Sequence, residues 1–213
     1  MKQNKSEIVI VLDRSGSMAS IKNDMQNGLK SFLDKQKLEA GECTITCYQF
    51  DSEIDRILED VDIKLISSIS LDPRGSTRLF DAIGTAVDEV GKRLSAKPES
   101  ERPEKVFVLV ITDGEENSSH LYNNERVKEM IKLQEEKYSW KFIYLGANQD
   151  AFLTGQKYGF SGQTSMKYST SSVGIQNTFD TLSRGVSVMR CDHDGLAASY
   201  SFSEEERKMA VAE

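Results

Sequence analysis

Residues 8–18 read IVIVLDRSGSM. Ile8 to Leu12 run without a polar break and then meet Asp13, Arg14, Ser15, Gly16 and Ser17. A continuous apolar run of this length fits a strand buried on both faces, as inside a parallel sheet. Aspartate and serine are also ordinary turn and helix-capping residues. The stretch therefore has two readings, a capped turn or a cluster of oxygens that holds something. Matching partners elsewhere in the chain decide between them.

Downstream, Met18, Ile21, Met25, Leu29, Phe32 and Leu33 recur at helical spacing and close near Gly41. CTITCYQFD (43–51) and SEIDRIL (52–58) read as strands. Their turn at Asp51–Ser52 is so short that the pair should be antiparallel. DPRGSTRLFDA (72–82) is a loop broken by Pro73 and Gly75, and it leads into an amphipathic helix through Leu79, Ile83, Val87, Val90 and Leu94. KVFVLVITD (105–113) is a second buried strand that ends on an aspartate, and WKFIYLG (140–146) is a third. A short helix over Asp150 to Tyr158, a strand at TSMKYS (164–169) and a helix through Ile175, Phe179, Leu182, Val186 and Met189 follow. This alternation predicts an α/β fold: a doubly wound, mostly parallel sheet with one antiparallel edge strand and helices on both faces. One domain spans 1–190. Residues 191–213 form a tail in which Ser203 and Glu206 make the capping box of a short helix.

The 213 residues can bury a real core, and 38% hydrophobic with 29% charged residues is not a disordered composition. A net charge of −7 argues against a nucleic-acid-binding surface. No stretch approaches the roughly 18 apolar residues of a membrane span. MKQNKSE (1–7) is polar and gives no sign of a secretory leader. Cys43 and Cys47 lie about 13 Å apart along one strand and cannot bridge each other. With Cys191 they make an odd set without framework spacing, as expected of a reducing, cytoplasmic setting.

In open α/β sheets ligands bind beyond the carboxyl ends of the strands, where strand order reverses. Two central strands here end on Asp13 and Asp113. Ser15 and Ser17 follow the first, and the Gly75–Thr77 loop lies between them in the chain. Three loops thus deliver two carboxylates and three hydroxyls to one edge. All are oxygen donors, suited to a hard cation such as Mg²⁺. Two carboxylates grouped there should repel each other unless a cation sits between them. Neutral hydroxyls would leave that ion seeking another anionic oxygen.

DRSGS (13–17) matches the D-x-S-x-S motif of von Willebrand factor type A domains. GSTRLFDAI (75–83) resembles the second-loop threonine motif of that family, and VLVITDGEE (108–116) its third-loop aspartate motif. The resemblance runs from about Glu7 to Met189. It implies a metal-ion-dependent adhesion site in which Ser15, Ser17 and Thr77 give hydroxyl oxygens and Asp13 and Asp113 act directly or through water. It implies Mg²⁺, with Mn²⁺ or Ca²⁺ as alternatives, and a protein partner whose Asp or Glu completes the coordination. A ring-forming ATPase is one such partner by resemblance. YLGANQDAF (144–152) resembles segments of bacterial and phage members.

Arg14 and Arg78 flank this site and Glu115 and Glu116 rim it, as partner-selecting groups or as solvated loop charges. His120 fits a solvated or capping residue better than a ligand. Cys191-Asp192-His193-Asp194 lacks the second cysteine–histidine pair of a zinc site, and DHDG lacks the first acid of a calcium loop. The chain has no G-x-G-x-x-G after the first strand, no phosphate-binding G-x-x-x-x-G-K-[ST], no G-x-S-x-G elbow and no serine–histidine pairing. A Mg²⁺-dependent phosphoester hydrolase is the alternative function. It lacks an evident general base and a phosphate-holding lysine.

Overall fold

The apolar run at residues 8–12 lies at the heart of a six-stranded sheet. The computed structural model describes residues 1–147, 150–192 and 200–212. Strands β1 (Lys2–Asp13), β2 (Glu42–Phe50), β3 (Ile54–Asp62), β4 (Pro103–Thr112), β5 (Lys141–Ala147) and β6 (Ser165–Tyr168) lie side by side in the order β3-β2-β1-β4-β5-β6. Every pairing is parallel except β2 with β3 at one edge, as the short turn at Asp51 requires. Helices α1 (Lys22–Leu38), α2 (Leu79–Ala96), α3 (Asn124–Tyr138), α4 (Ala151–Tyr158), α5 (Ser172–Cys191) and α6 (Glu204–Ala210) complete the described elements.

The unbroken apolar sequence of β1 is explained by its two covered faces. Ile8, Ile10 and Leu12 join a core with Met25, Leu29 and Phe32 of α1 and Ile175, Phe179 and Leu182 of α5. Val9 and Val11 join the opposite core with residues of α2 and α3. Burying one such side chain is worth about 1.5–3 kcal/mol, so both periodic faces are spent on packing and only the strand ends are left for chemistry.

Three details differ from or extend the sequence reading. β1 begins inside the polar segment, with Asn4 at φ 57° and a register irregularity between Lys2 and Ser6. The first helical stretch opens as a 3₁₀ turn, Gly16–Ile21, before α1. Three residues per turn place Met18 and Ile21 on one face, and both are buried beneath the first loop. The tail docks: α6 starts at the Ser203–Glu206 capping box, and Ala210 and Phe202 enter the α1/α5 core. The Ser169 amide donates to the Ala210 carbonyl at 2.8 Å. Among the described residues no helix is long and apolar enough to cross a membrane.

Candidate metal centre

Strand order reverses between β1 and β4. β1 leads through α1 to β2 on one side, and β4 leads through α3 to β5 on the other. The diverging loops open a crevice at the carboxyl ends of the two strands. Asp13 ends β1, and Asp113 follows the last residue of β4.

The first and third loops touch through their candidate oxygens. Ser17 Oγ donates to Asp113 Oδ1 at 2.7 Å, and the Ser15 and Ser17 hydroxyls lie 3.1 Å apart. Asp13 is fully buried. Its Oδ1 accepts the Ser15 amide and its Oδ2 the Thr112 hydroxyl, both at 2.6 Å.

The second loop is hung between the other two. The Arg74 amide donates to the Arg14 carbonyl at 2.8 Å and the Gly16 amide to Gly75 at 3.3 Å. Thr77 and Asn117 exchange two hydrogen bonds: amide to Oδ1 at 3.0 Å and amide to carbonyl at 3.1 Å. Gly75 sits at φ 67°, where a Cβ would come 2.7 Å from Ser52 Oγ, so this bend needs glycine. Thr77 is buried, and its hydroxyl lies 3.8 Å from where a Cβ on Gly114 would stand. That hydroxyl makes no hydrogen bond to another described residue. All five sequence-selected residues therefore converge on one crevice.

Burial pushes the Asp13 carboxyl from 3.8 up to about 6, against the donors Thr112 and Ser15, with the charge of Asp113 adding a smaller push. Burial also raises Asp113, and the Ser17 hydroxyl pulls it back. Repulsion between the two acids, the penalty the sequence suggests, is thus secondary to desolvation. The site is a half-dry pocket of acidic and hydroxyl oxygens in which a negative charge is costly. That donor set fits a hard divalent cation, which would take lone pairs from the hydroxyls and from the Asp113 carboxylate to which Ser17 now donates.

Arg14 is neither a rim selector nor solvated. It is buried, with Nε on Asp51 at 2.9 Å and Nη2 on Asp55 at 2.6 Å. Asp51 also takes Arg74 Nε at 2.9 Å and the Glu53 amide at 2.6 Å, so it clamps the β2–β3 turn to the first two loops. Glu116 likewise is no selector. It accepts the amides of Ser118 and Ser119 at 2.8 and 2.7 Å and that of Phe80 at 2.9 Å. Glu115 and His120 are exposed. Cys191 donates to Glu39 at 3.4 Å and the Asp192 carbonyl accepts from Lys105, while His193 and Asp194 lie outside the described residues, as do Asn148 and Gln149 of YLGANQDAF.

Sequence reasoning missed Thr112, Asn117, Asp51 and Asp81. Thr112 was signalled as the one hydroxyl closing the apolar run VFVLVIT (106–112). Asp81, fully buried, accepts the amides of His120, Leu121 and Tyr122 at 2.8–2.9 Å and so fixes the third loop to α2. Its only sequence signal was an acid in the first turn of a helix, a common place for one.

Residues 7–177 match the family model described as von Willebrand factor type A domain. No curated protein sequence matches the chain. Among solved structures, proximal thread matrix protein 1 from the mussel byssus is similar at TM-score 0.59 and 16% identity, over 86% of this chain and 46% of that one, in a form with its MIDAS motif occupied by zinc. A von Willebrand domain of the pilus tip protein Mfa5 from Porphyromonas gingivalis gives 0.58 and 9% identity over 89% and 97% of the two chains. The ArnB paralog VWA2 from Sulfolobus acidocaldarius gives 0.52 and 18% over 84% and 44%. The chain spans less than half the length of the mussel and Sulfolobus proteins, and at these identities the likeness is one of fold.

Proposed function

This chain belongs to the von Willebrand factor type A domain family; we propose that it is a metal-dependent protein-binding module whose ion captures an acidic side chain of a partner protein. Asp13, Ser15, Ser17, Thr77 and Asp113 would hold the ion. Mg²⁺ is the ion we assign, with Mn²⁺ or Ca²⁺ as oxygen-seeking substitutes. The zinc-occupied motif of the mussel protein supports a divalent ion at this place in the fold. The observation that carries the reading is the Ser17–Asp113 contact at 2.7 Å beside the Ser15 hydroxyl, with Thr77 brought up by Asn117. Two carboxylates balance the charge of a divalent ion, but neutral hydroxyls as direct ligands would leave it electron-poor, and a carboxylate from outside would supply the stronger donor through a charge-assisted, directional contact. A ring-forming ATPase presenting such a residue is the candidate partner that the family resemblance offers.

Titrating Mg²⁺ and Mn²⁺ against thermal unfolding tests the site. The wild type should gain about 1.4 kcal/mol at ten times the dissociation constant, and Asp113→Ala should gain nothing while keeping its circular dichroism spectrum. No shift at millimolar metal would refute the assignment. Mg²⁺-dependent turnover of an aryl phosphate, lost in both Asp13→Ala and Glu115→Gln, would replace binding by phosphoester hydrolysis.

A further inference from the structure

Of the two arginines that flank the crevice in sequence, one is spent and the other is not. Arg14 is locked onto Asp51 and Asp55. Arg74, on the same loop as Thr77, holds Asp51 and Glu53. The acids of the β2–β3 turn are thereby committed. Arg78 directly follows Thr77 through a trans peptide, so the two Cα atoms are about 3.8 Å apart. Its backbone is fixed at both ends. The Arg78 amide donates to the Asp51 carbonyl at 3.2 Å, and its own carbonyl accepts the Ala82 amide at 3.0 Å.

The guanidinium of Arg78 has no ion pair and no hydrogen bond among the described residues, and its Nε is buried without an acceptor. Every other arginine has a carboxylate or carbonyl oxygen on its guanidinium. The α2 amides beside it are satisfied by Glu116 and Ser119, so Arg78 is left as the unmatched donor of that turn. The residue as a whole is half-buried, and Nε is the part of its guanidinium shut away from water. A buried donor without an acceptor costs free energy unless something supplies one.

We propose that Arg78 is a second anchor for the partner, pairing through its guanidinium with the carboxylate that the metal captures. The inference rests on the metal-dependent reading above and sharpens it. A carboxylate has two oxygens: one completes the coordination of the ion, and the other accepts from Arg78. The planar fork of the guanidinium suits that shape, and a lysine ammonium does not reproduce it. The pair selects an acid over its amide, because an amide nitrogen would face the guanidinium donors.

The probe is N-acetyl-aspartate methylamide, with the asparagine compound as control, titrated by NMR into the full chain with Mg²⁺ or with chelator. The wild type should bind the aspartate probe only with Mg²⁺ and prefer it over the asparagine probe. Arg78→Gln should weaken that binding about tenfold, with Mg²⁺ affinity by calorimetry and the melting temperature unchanged. Arg78→Lys should recover only part of the loss. Wild-type affinity in Arg78→Gln would overturn the anchor and leave the metal reading standing. A parallel loss of Mg²⁺ affinity would overturn it too, making Arg78 a support of the Thr77 loop. Absence of Mg²⁺-dependent binding in the wild type would remove both.

Discussion

Asp13→Asn should make the metal-free protein more stable at neutral pH. Asp13 is fully buried, and burial lifts its carboxyl from 3.8 to about 6. Each pKa unit is worth about 1.4 kcal/mol, so the ionised carboxylate costs the folded state about 3 kcal/mol. Below about pH 4 the group is protonated in both states, and the cost is absent. Between about pH 4 and 6 the unfolded chain releases its proton while the folded chain keeps it, so stability falls as pH rises. Above about pH 6 the penalty is constant. Asparagine keeps the shape and the acceptor for the Ser15 amide. Its NH₂ would face Thr112 Oγ1, which can turn its own proton to the Gly114 carbonyl, 3.1 Å away. Allowing about 1 kcal/mol for that exchange at every pH, the variant should gain about 2 kcal/mol at pH 7.5 and lose up to about 1 kcal/mol at pH 4. Urea unfolding of both proteins in chelator at pH 4, 5, 6 and 7.5 measures this, because the other carboxyls cancel in the difference. With Mg²⁺ the ranking should reverse in favour of the wild type as the ion saturates. A difference that does not change with pH, or a wild type more stable at pH 7.5 in chelator, would refute the reasoning.

Two further outcomes follow from the clamps around the site. Asp51→Ala strips the shared acceptor from Arg14 and Arg74. It should cost about 3 kcal/mol in urea unfolding, as expected when a buried pair loses one member, and it should also abolish stabilisation by Mg²⁺. Asp81→Ala removes the acceptor of three amides. At about 1 kcal/mol per bond it should cost about 3 kcal/mol, with faster hydrogen exchange at His120, Leu121 and Tyr122.

The sheet was legible because its strands are short apolar runs separated by helical periodicity. Even the antiparallel edge followed from the tight turn at Asp51. The convergence of the candidate donors was legible because they sit in three separate loops at one edge of the sheet. What stayed hidden is how the loops are held. Asp51, Asp81 and Glu116 look like ordinary turn or helix-start acids, and only the fold shows which amides and guanidinium groups they face. Arg14 misled for the same reason: a buried and a solvated arginine are written alike, and their difference lies in an acid 37 residues away. The 3₁₀ start of the first helix was hidden because Met18 and Ile21 fit both helical periods.

The contacts that build the crevice join distant parts of the chain. Thr112 and Asp13 are 99 residues apart, and Ser17 and Asp113 are 96. As the polypeptide leaves the ribosome, β1, α1, β2 and β3 can assemble while the other half of the crevice does not yet exist. The arrangement proposed to hold a cation appears only once β4 inserts against β1, a non-local step that pays its loop-closure entropy before any ligand can reward it. A cation held there would act on a finished sheet: it would slow escape from the native state and leave the rate of reaching it unchanged.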